Sequence, residues 1–342
     1  MTGHQRRNVM MGAAAVAAVV AAQAWRRRPD YDFSGKSVVV TGGSRGLGLI
    51  LARELADAGA RVTIVARDAG ELARAAEDIR LRQPFAEVLT IAADVRERDD
   101  AGRAIEQAFE RFGRVDVVIN NAGIIQVGPV DHMRLSDYED AMNTHFWGPL
   151  YTTLATLPHM RRQGGGRIVN ISSIGGRISV PHLVPYSASK FALSGLSDGL
   201  RYELARDNIV VTTVCPGLMR TGSPLNASFK GNHPQEYAWF AISDSLPLAT
   251  IDAGRAARQI IAACRRGDAE LVITVQAKLA ILARTAAPEF FASVMSFIND
   301  LLPPPTGRDG DRTQLGRESE SEWAPSALTE PTYRAAEKNN EM

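Results

Sequence analysis

Between Ser37 and Thr274 short apolar runs alternate with stretches of helical periodicity, and that alternation leaves the chain very few architectures. SVVVT (37–41), RVTIVA (61–66), 87–92, VDVVIN (115–120), RIVNIS (167–172), IVVTTV (209–214) and ELVIT (270–274) read as strands rich in Val and Ile. Several are apolar at successive positions, as strands covered on both faces are. Helical patterns fill the intervals, at 47–58, 68–83, 100–112, 136–157, 188–206 and 252–266. Parallel strands joined by right-handed helical crossovers give an α/β, doubly wound parallel sheet of Rossmann type with helices on both faces. A single domain is predicted over residues 31–302.

Composition limits the partners of that domain. Lys and Arg number 39 against 38 Asp and Glu in 342 residues, a formal charge of +1, which argues against a dedicated nucleic-acid binder. Cys215 and Cys264 lack C-x-x-C spacing and no histidine has ligand spacing, so neither a disulfide scaffold nor a metal site is expected. The ends differ from the neutral body. Residues 1–30 hold five Arg against one Asp around an uncharged Ala/Val run, Val9 to Ala24, whose 16 residues cover about 24 Å as a helix. That is slightly short of a bilayer core of roughly 30 Å. Trp25 and Arg26-Arg27-Arg28 follow it as interface residues would, predicting a membrane anchor with the body in the cytoplasm. The competing reading is a twin-arginine export signal, with Arg6-Arg7 and the cleavage pattern Ala22-Gln23-Ala24. At the other end Pro303-Pro304-Pro305 stops any helix, and residues 303–342 are polar and acidic without periodicity, so a disordered tail is expected.

The first strand runs directly into TGGSRGLG, residues 41–48. Gly42, Gly46 and Gly48 let the backbone turn and approach a pyrophosphate, and with Ser44, Arg45 and Leu47 they form the expected cradle at a helix N-terminus. The second strand ends Ala66-Arg67-Asp68. An NAD site would place an acidic side chain there. Arg67, with Arg45 in the glycine loop, instead suits a 2′-phosphate, so NADP(H) is expected over NAD(H). Asp68 would reverse that preference if it turned inward. Asp94-Val95 follows the third strand, where a carboxylate meets adenine. Asn120-Asn121-Ala122-Gly123 follows the fourth, where small residues let the backbone pass close to a cofactor.

Tyr186 and Lys190 stand at i, i+4, which puts phenol and ammonium on one face of a predicted helix. A nearby cation lowers a phenol pKa toward useful acid/base chemistry. At this point the sequence resembles the short-chain dehydrogenase/reductase family. TGGSRGLG, Asn120-Asn121-Ala122-Gly123, Asn143, Ser173, Tyr186-x-x-x-Lys190 and Cys215-Pro216-Gly217 occur in the family's order and spacing, over about residues 35–275. The resemblance implies that Tyr186 is the acid/base, that Lys190 lowers its pKa and binds the nicotinamide ribose, and that Ser173 hydrogen-bonds the substrate oxygen. Strand alternation makes Ser172 the one alternative to Ser173. It implies that Asn143 holds a water in a proton relay, and that Pro216, Gly217 and Thr221 touch the nicotinamide.

Those roles imply hydride transfer between a nicotinamide and a small-molecule carbonyl or alcohol. A dinucleotide-binding sensor or scaffold on the same fold is the rival reading, which loss of Tyr186 or Lys190 would have favoured. His145 and His182 are expected to pack or to touch substrate. Aromatic residues between 218 and 250 are expected to lid the site or simply to cover the core, and the apolar stretch 276–302 to shape a lipophilic pocket, pair subunits in a homo-oligomer or lie on a membrane. A lipophilic substrate is favoured.

Overall fold

The computed structural model describes residues 31–245, 250–326 and 329–342, and the predicted anchor or signal over residues 1–30 lies outside them. The compact unit that carries the sheet runs from Phe33 to Met342. Its strands are β1 Ser37–Thr41, β2 Arg61–Ala66, β3 Val88–Ala92, β4 Val117–Asn120, β5 Gly166–Ile171, β6 Ile209–Cys215 and β7 Glu270–Val272. They form one parallel sheet in the order β3-β2-β1-β4-β5-β6-β7. The order reverses between β1 and β4, and in such sheets ligands bind outside the strand ends at that point.

The main helices are α1 Gly46–Asp57, α2 Ala69–Arg82, α3 Arg98–Phe112, α4 Leu135–Met142, α5 Gly148–Arg162, α6 Val184–Leu204, α7 His233–Ser245, α8 Ala253–Arg266, α9 Val275–Ala286, α10 Pro288–Leu301 and α11 Glu330–Lys338. One face of the sheet presents Val39, Val118, Ile168 and Val211 to Ala104 and Ile105 of α3, Leu157 and Met160 of α5, and Leu204 of α6. Val38 and Val40 point the other way and are equally buried. The second face is therefore covered too, by α1 packed on α8. Burial on both sides explains why these strands read as continuous apolar runs.

The predicted helix over 136–157 is divided. Between α4 and α5, Asn143–Trp147 forms a π turn in which the Gly148 N–H reaches back to the Asn143 carbonyl. Such turns widen a helix locally and recur at functional sites. The stretch 276–302 is a hairpin of α9 and α10, broken before Pro288 at the first position of α10, where a missing N–H costs nothing. Leu279, Leu282, Phe290, Phe297 and Leu301 on it are all more than half exposed. No described helix is long and apolar enough to cross a membrane.

The expectation of a disordered tail over 303–342 is corrected by the structure. Gln314–Leu315 pairs with Ser228–Phe229, which pairs in turn with Gln126–Val127. Ala324 and Ala336 join a second apolar cluster with Leu225, Phe229, Tyr237 and Phe240. Tyr333 Oη meets Tyr237 Oη at 2.7 Å, and Thr332 Oγ1 meets Ser245 Oγ at 2.7 Å. The tail carries little apolar surface of its own, so it shows no periodicity. It orders by pairing small and hydroxylic side chains with α7, a partner far away in sequence.

Candidate active site

The glycine loop lies at the reversal point, between β1 and α1. Gly42 has φ +64, and a Cβ there would stand 2.8 Å from Ala122 Cα. Gly48 lies so close to the Gly42 carbonyl that a side chain is impossible. Asn121 fastens the loop, donating from Nδ2 to the carbonyls of Thr41 and Gly42, both at 3.1 Å. Thr41 Oγ1 accepts the N–H groups of Asn121 and Ala122 in return. Asn121 thus shapes the cradle from behind, while Ala122 and Gly123 line the cleft.

That cleft, of about 420 Å³, is lined by Gly42, Ser44, Arg45, Arg67, Asp68, Glu71, Asp94, Val95, Ala122, Gly123 and Thr144 among others. Asp68 lines the cleft, and its Oδ1 accepts the Glu71 N–H at 2.7 Å and caps α2. Arg45 Nη1 pairs with Glu71 Oε1 at 3.0 Å, and Ser44 Oγ donates to Glu71 Oε2 at 2.8 Å. Arg67 is exposed at the rim and hydrogen-bonds to no described residue, although its charge is felt at Asp94. Asp94 is gripped by Arg96, with Nε and Nη2 donating at 2.7–3.1 Å. Partial burial would raise the Asp94 carboxyl, but the Arg96 bonds outweigh it and hold the group below its usual range.

Past the sheet edge a second cavity of about 360 Å³ is mostly apolar, with Ile125, Ile174, Val180, Leu183, Leu218, Met219, Trp239 and Phe240 on its walls. Ser173, Tyr186, Gly217 and Thr221 line it as well. Ser172 points away and is buried against the Lys190 carbonyl and Ser194 Oγ. Of the two serines, Ser173 is the one on the cavity wall beside Tyr186, and its Oγ accepts the Gly175 N–H at 3.0 Å. Pro216 ends β6, and its carbonyl accepts the Ile174 N–H at 2.7 Å. Thr221 Oγ1 lies 2.6 Å from Ser223 Oγ.

Tyr186 and Lys190 share one face of α6, with the ammonium 5.6 Å from the ring centroid. Lys190 Nζ donates to the Ile171 carbonyl at 2.9 Å. Burial pushes the phenol up to about 12 and the ammonium down to about 7. The expected lowering of the Tyr186 pKa by Lys190 is thus not what the described site displays, because in so dry a place desolvation favours the neutral form of both. Asn143 opens the π turn, and its side chain hydrogen-bonds to no described residue. His145, in the same turn, is a packing residue as expected. Its Nε2 accepts the Ile124 N–H, so its Nδ1 donates to Ser189 Oγ, which donates to the Tyr186 carbonyl. Burial and the Lys190 charge hold this imidazole well below its usual pKa.

Three carboxylates not singled out from sequence belong to this region. Glu236 of α7 is fully buried, accepting from Trp239 Nε1 at 2.7 Å and meeting His182 Nδ1 at 2.9 Å, which fixes the lid helix over the cavity. Asp244 of α7 lines the cavity; burial, with the charge of Glu341, pushes it well above its usual range. Glu341 reaches the site from the tail. Its Oε2 accepts the Gly222 N–H at 2.7 Å, and burial pushes its carboxyl from 4.5 up to about 7. Glu236 carried a signal, a charge set directly before the aromatic run Tyr237–Phe240; Glu341 carried none.

Comparison with known proteins agrees with this geometry. Residues 36–229 match the family described as short chain dehydrogenase. SadH, a candidate oxidoreductase of Mycobacterium tuberculosis, is 34% identical over 276 residues, covering 80% of this chain and 98% of that one. An 11-beta-hydroxysteroid dehydrogenase-like protein of Arabidopsis thaliana is 38% identical over 192 residues, 56% of this chain and 63% of that one. Among solved structures, a gluconate 5-dehydrogenase from Burkholderia cenocepacia in complex with NADP and tartrate superposes with a TM-score of 0.62 at 26% identity, over 72% of this chain and 96% of that one. The chain belongs to the short-chain dehydrogenase/reductase family, whose members are NAD(P)-binding oxidoreductases acting on CH–OH groups.

Proposed function

We propose that this chain is an NADP(H)-dependent enzyme interconverting a lipophilic carbonyl compound and its alcohol. The observation that carries the reading is the convergence of Ser173 and Tyr186 on an apolar cavity beside a cleft rimmed by Arg45 and Arg67. The residues fit a dinucleotide: Gly42 tolerates no side chain, and Asp94 and Val95 line the adenine end. Asp68 is engaged as a helix cap, which favours the 2′-phosphate form, as does the NADP complex of the gluconate dehydrogenase. Gly42, Ser44, Arg45, Gly46, Leu47, Gly48, Arg67, Asp94, Val95, Asn121, Ala122, Gly123, Tyr186, Lys190, Pro216, Gly217 and Thr221 are the residues proposed to hold it. When bound, it supplies the hydride.

The chain's own residues do the rest. Ser173 Oγ and Tyr186 Oη hold the substrate oxygen, and Tyr186 gives its phenolic proton to that oxygen during reduction. A phenol held at about 12 is protonated at neutral pH, as that step requires. Asn143, with its side chain unengaged among described residues, holds the water that returns a proton toward Lys190. The apolar walls exclude bulk water and select against polar substrates. An NADPH-oxidation screen over lipophilic ketones and aldehydes, run beside Tyr186→Phe, tests the assignment. Turnover that depends on Tyr186 is expected; equal turnover by the variant would sink it.

We further propose that the chain is held at a membrane, which would supply such substrates. The uncharged run from Val9 to Ala24 and the exposed apolar side chains of α9 and α10 support this reading. A chain starting at Asp30 is expected to shift to the soluble fraction of detergent-free lysates. Full-length protein already in that fraction would overturn the anchor.

A further inference from the structure

The tail ends at the most sensitive point of the cofactor cradle. Three of the four glycines of the loop have separable duties. Gly42 makes the turn and Gly48 packs the helix on the strand, whereas Gly46, at the first position of α1, is the one that lets a pyrophosphate come close. What a Cβ on Gly46 would meet is the Glu341 carboxylate, with Oε1 at 2.9 Å. The Gly46 N–H, a helix N-terminal donor of the kind that receives phosphate oxygens, donates instead to the Asn339 carbonyl at 2.9 Å. Across the cleft, the Gly222 N–H donates to Glu341 Oε2, and Asn226 Nδ2 donates to the Glu341 carbonyl at 3.0 Å. Asn340 closes the arrangement from the rim, donating from Nδ2 to the Ser44 carbonyl at 2.9 Å. The segment is firmly held behind, since Arg53 donates to Asn339 Oδ1 and to the Lys338 carbonyl.

We infer that Asn339–Glu341 is an internal pseudo-ligand: its carboxylate occupies the dinucleotide's diphosphate site, and the tail must leave before the cofactor can bind. The chemistry is matched. A carboxyl group with two oxygens lies against Gly46 of the glycine loop, whose N–H is taken by the Asn339 carbonyl, and accepts the Gly222 N–H of the loop after Thr221, so the tail spans the two walls a diphosphate would bridge. The adenosine cleft and the substrate cavity stay open on either side, so the tail blocks the span between them and neither end. This rests on the reading that the cleft takes NADP(H).

Because cofactor binds only the fraction of molecules with the tail displaced, its apparent affinity is reduced by that fraction. Titration of NADPH by protein fluorescence, on the full chain, on a chain ending at Lys338 and on Glu341→Ala, measures this without turnover. The truncated chain and the variant are expected to bind NADPH about tenfold tighter than the full chain. Hydrogen exchange on the full chain supplies the second readout: amides of 336–342 are expected to lose protection as NADPH saturates. Equal or weaker binding by both altered chains, with cooperative melting retained, overturns the pseudo-ligand, as does a tail that stays protected at saturation. If no form binds NADPH or NADH, the cofactor reading fails and takes this inference with it.

Discussion

The two ends of the cleft are built from opposite chemistry. At the adenosine end the side chains are charged and tied in pairs, Arg45 to Glu71 and Arg96 to Asp94, each partly exposed. At the substrate end the walls are apolar and the polar groups are few: Ser173 and Tyr186, half-buried on the cavity wall, with Asp244 and, behind Tyr186, Lys190 buried. A partly exposed ion pair contributes little to stability and adapts to a ligand at small cost. A buried phenol and ammonium are driven toward neutrality and respond strongly to any charge that arrives. Binding can therefore be tuned at one end without touching the chemistry at the other.

The largest effect should come from Tyr186→Phe. It keeps the ring in its place beside His145, with centroids 5.4 Å apart, and removes only the proton donor. We expect kcat to fall by about a thousandfold while NADPH affinity changes far less. Comparable losses in both would break the separation of the two ends. Arg67→Ala probes the other end: NADPH affinity should fall about ten- to a hundredfold, the value of a charge-assisted contact, with NADH affinity nearly unchanged. Equal losses for the two cofactors would defeat the 2′-phosphate assignment. Smaller again is Trp239→Ala, which removes one wall of the cavity and the Nε1 bond to Glu236. KM for a lipophilic ketone should rise about tenfold with little change in NADPH affinity. An unchanged KM would mean that the lid does not touch substrate.

The same contrast governs how much was legible in the sequence. The adenosine end is made by neighbours along the chain: TGGSRGLG between one strand and one helix, and Arg67-Asp68 at the next strand end. Local spacing therefore singled out side chains that the fold does bring around one cleft. Order and spacing brought Ser173, Tyr186 and Lys190 together as candidates, yet said nothing of their electrostatics, since the surroundings of Tyr186 and Lys190 depend on strands and a helix distant in sequence. The lid and tail were least legible. His233–Ser245 has apolar side chains on most sides, because it is covered both by the body and by the tail. The tail, in turn, pairs hydroxyls and small side chains with that helix, and no periodicity announces such a match.

Between the two ends lies Glu341, and its titration gives the smallest effect expected. Four charged groups set its surroundings: Arg45 from the glycine loop, Glu71 from α2, Asp244 from α7 and, beside Asp244, Arg220. Burial dominates, and the carboxyl is raised from 4.5 to about 7. A raised acid favours the docked tail when protonated, so docking is strongest below about pH 4.5 and weakens as pH climbs through about 7. NADPH should accordingly bind the full chain a few-fold tighter at pH 8 than at pH 5.5, after correction by the chain ending at Lys338. Glu341→Gln, which keeps the acceptor for Gly222 and cannot ionise, should lose that difference. If the glutamine variant keeps the full pH dependence, the titrating group lies elsewhere, with Asp244 the next to change to Asn.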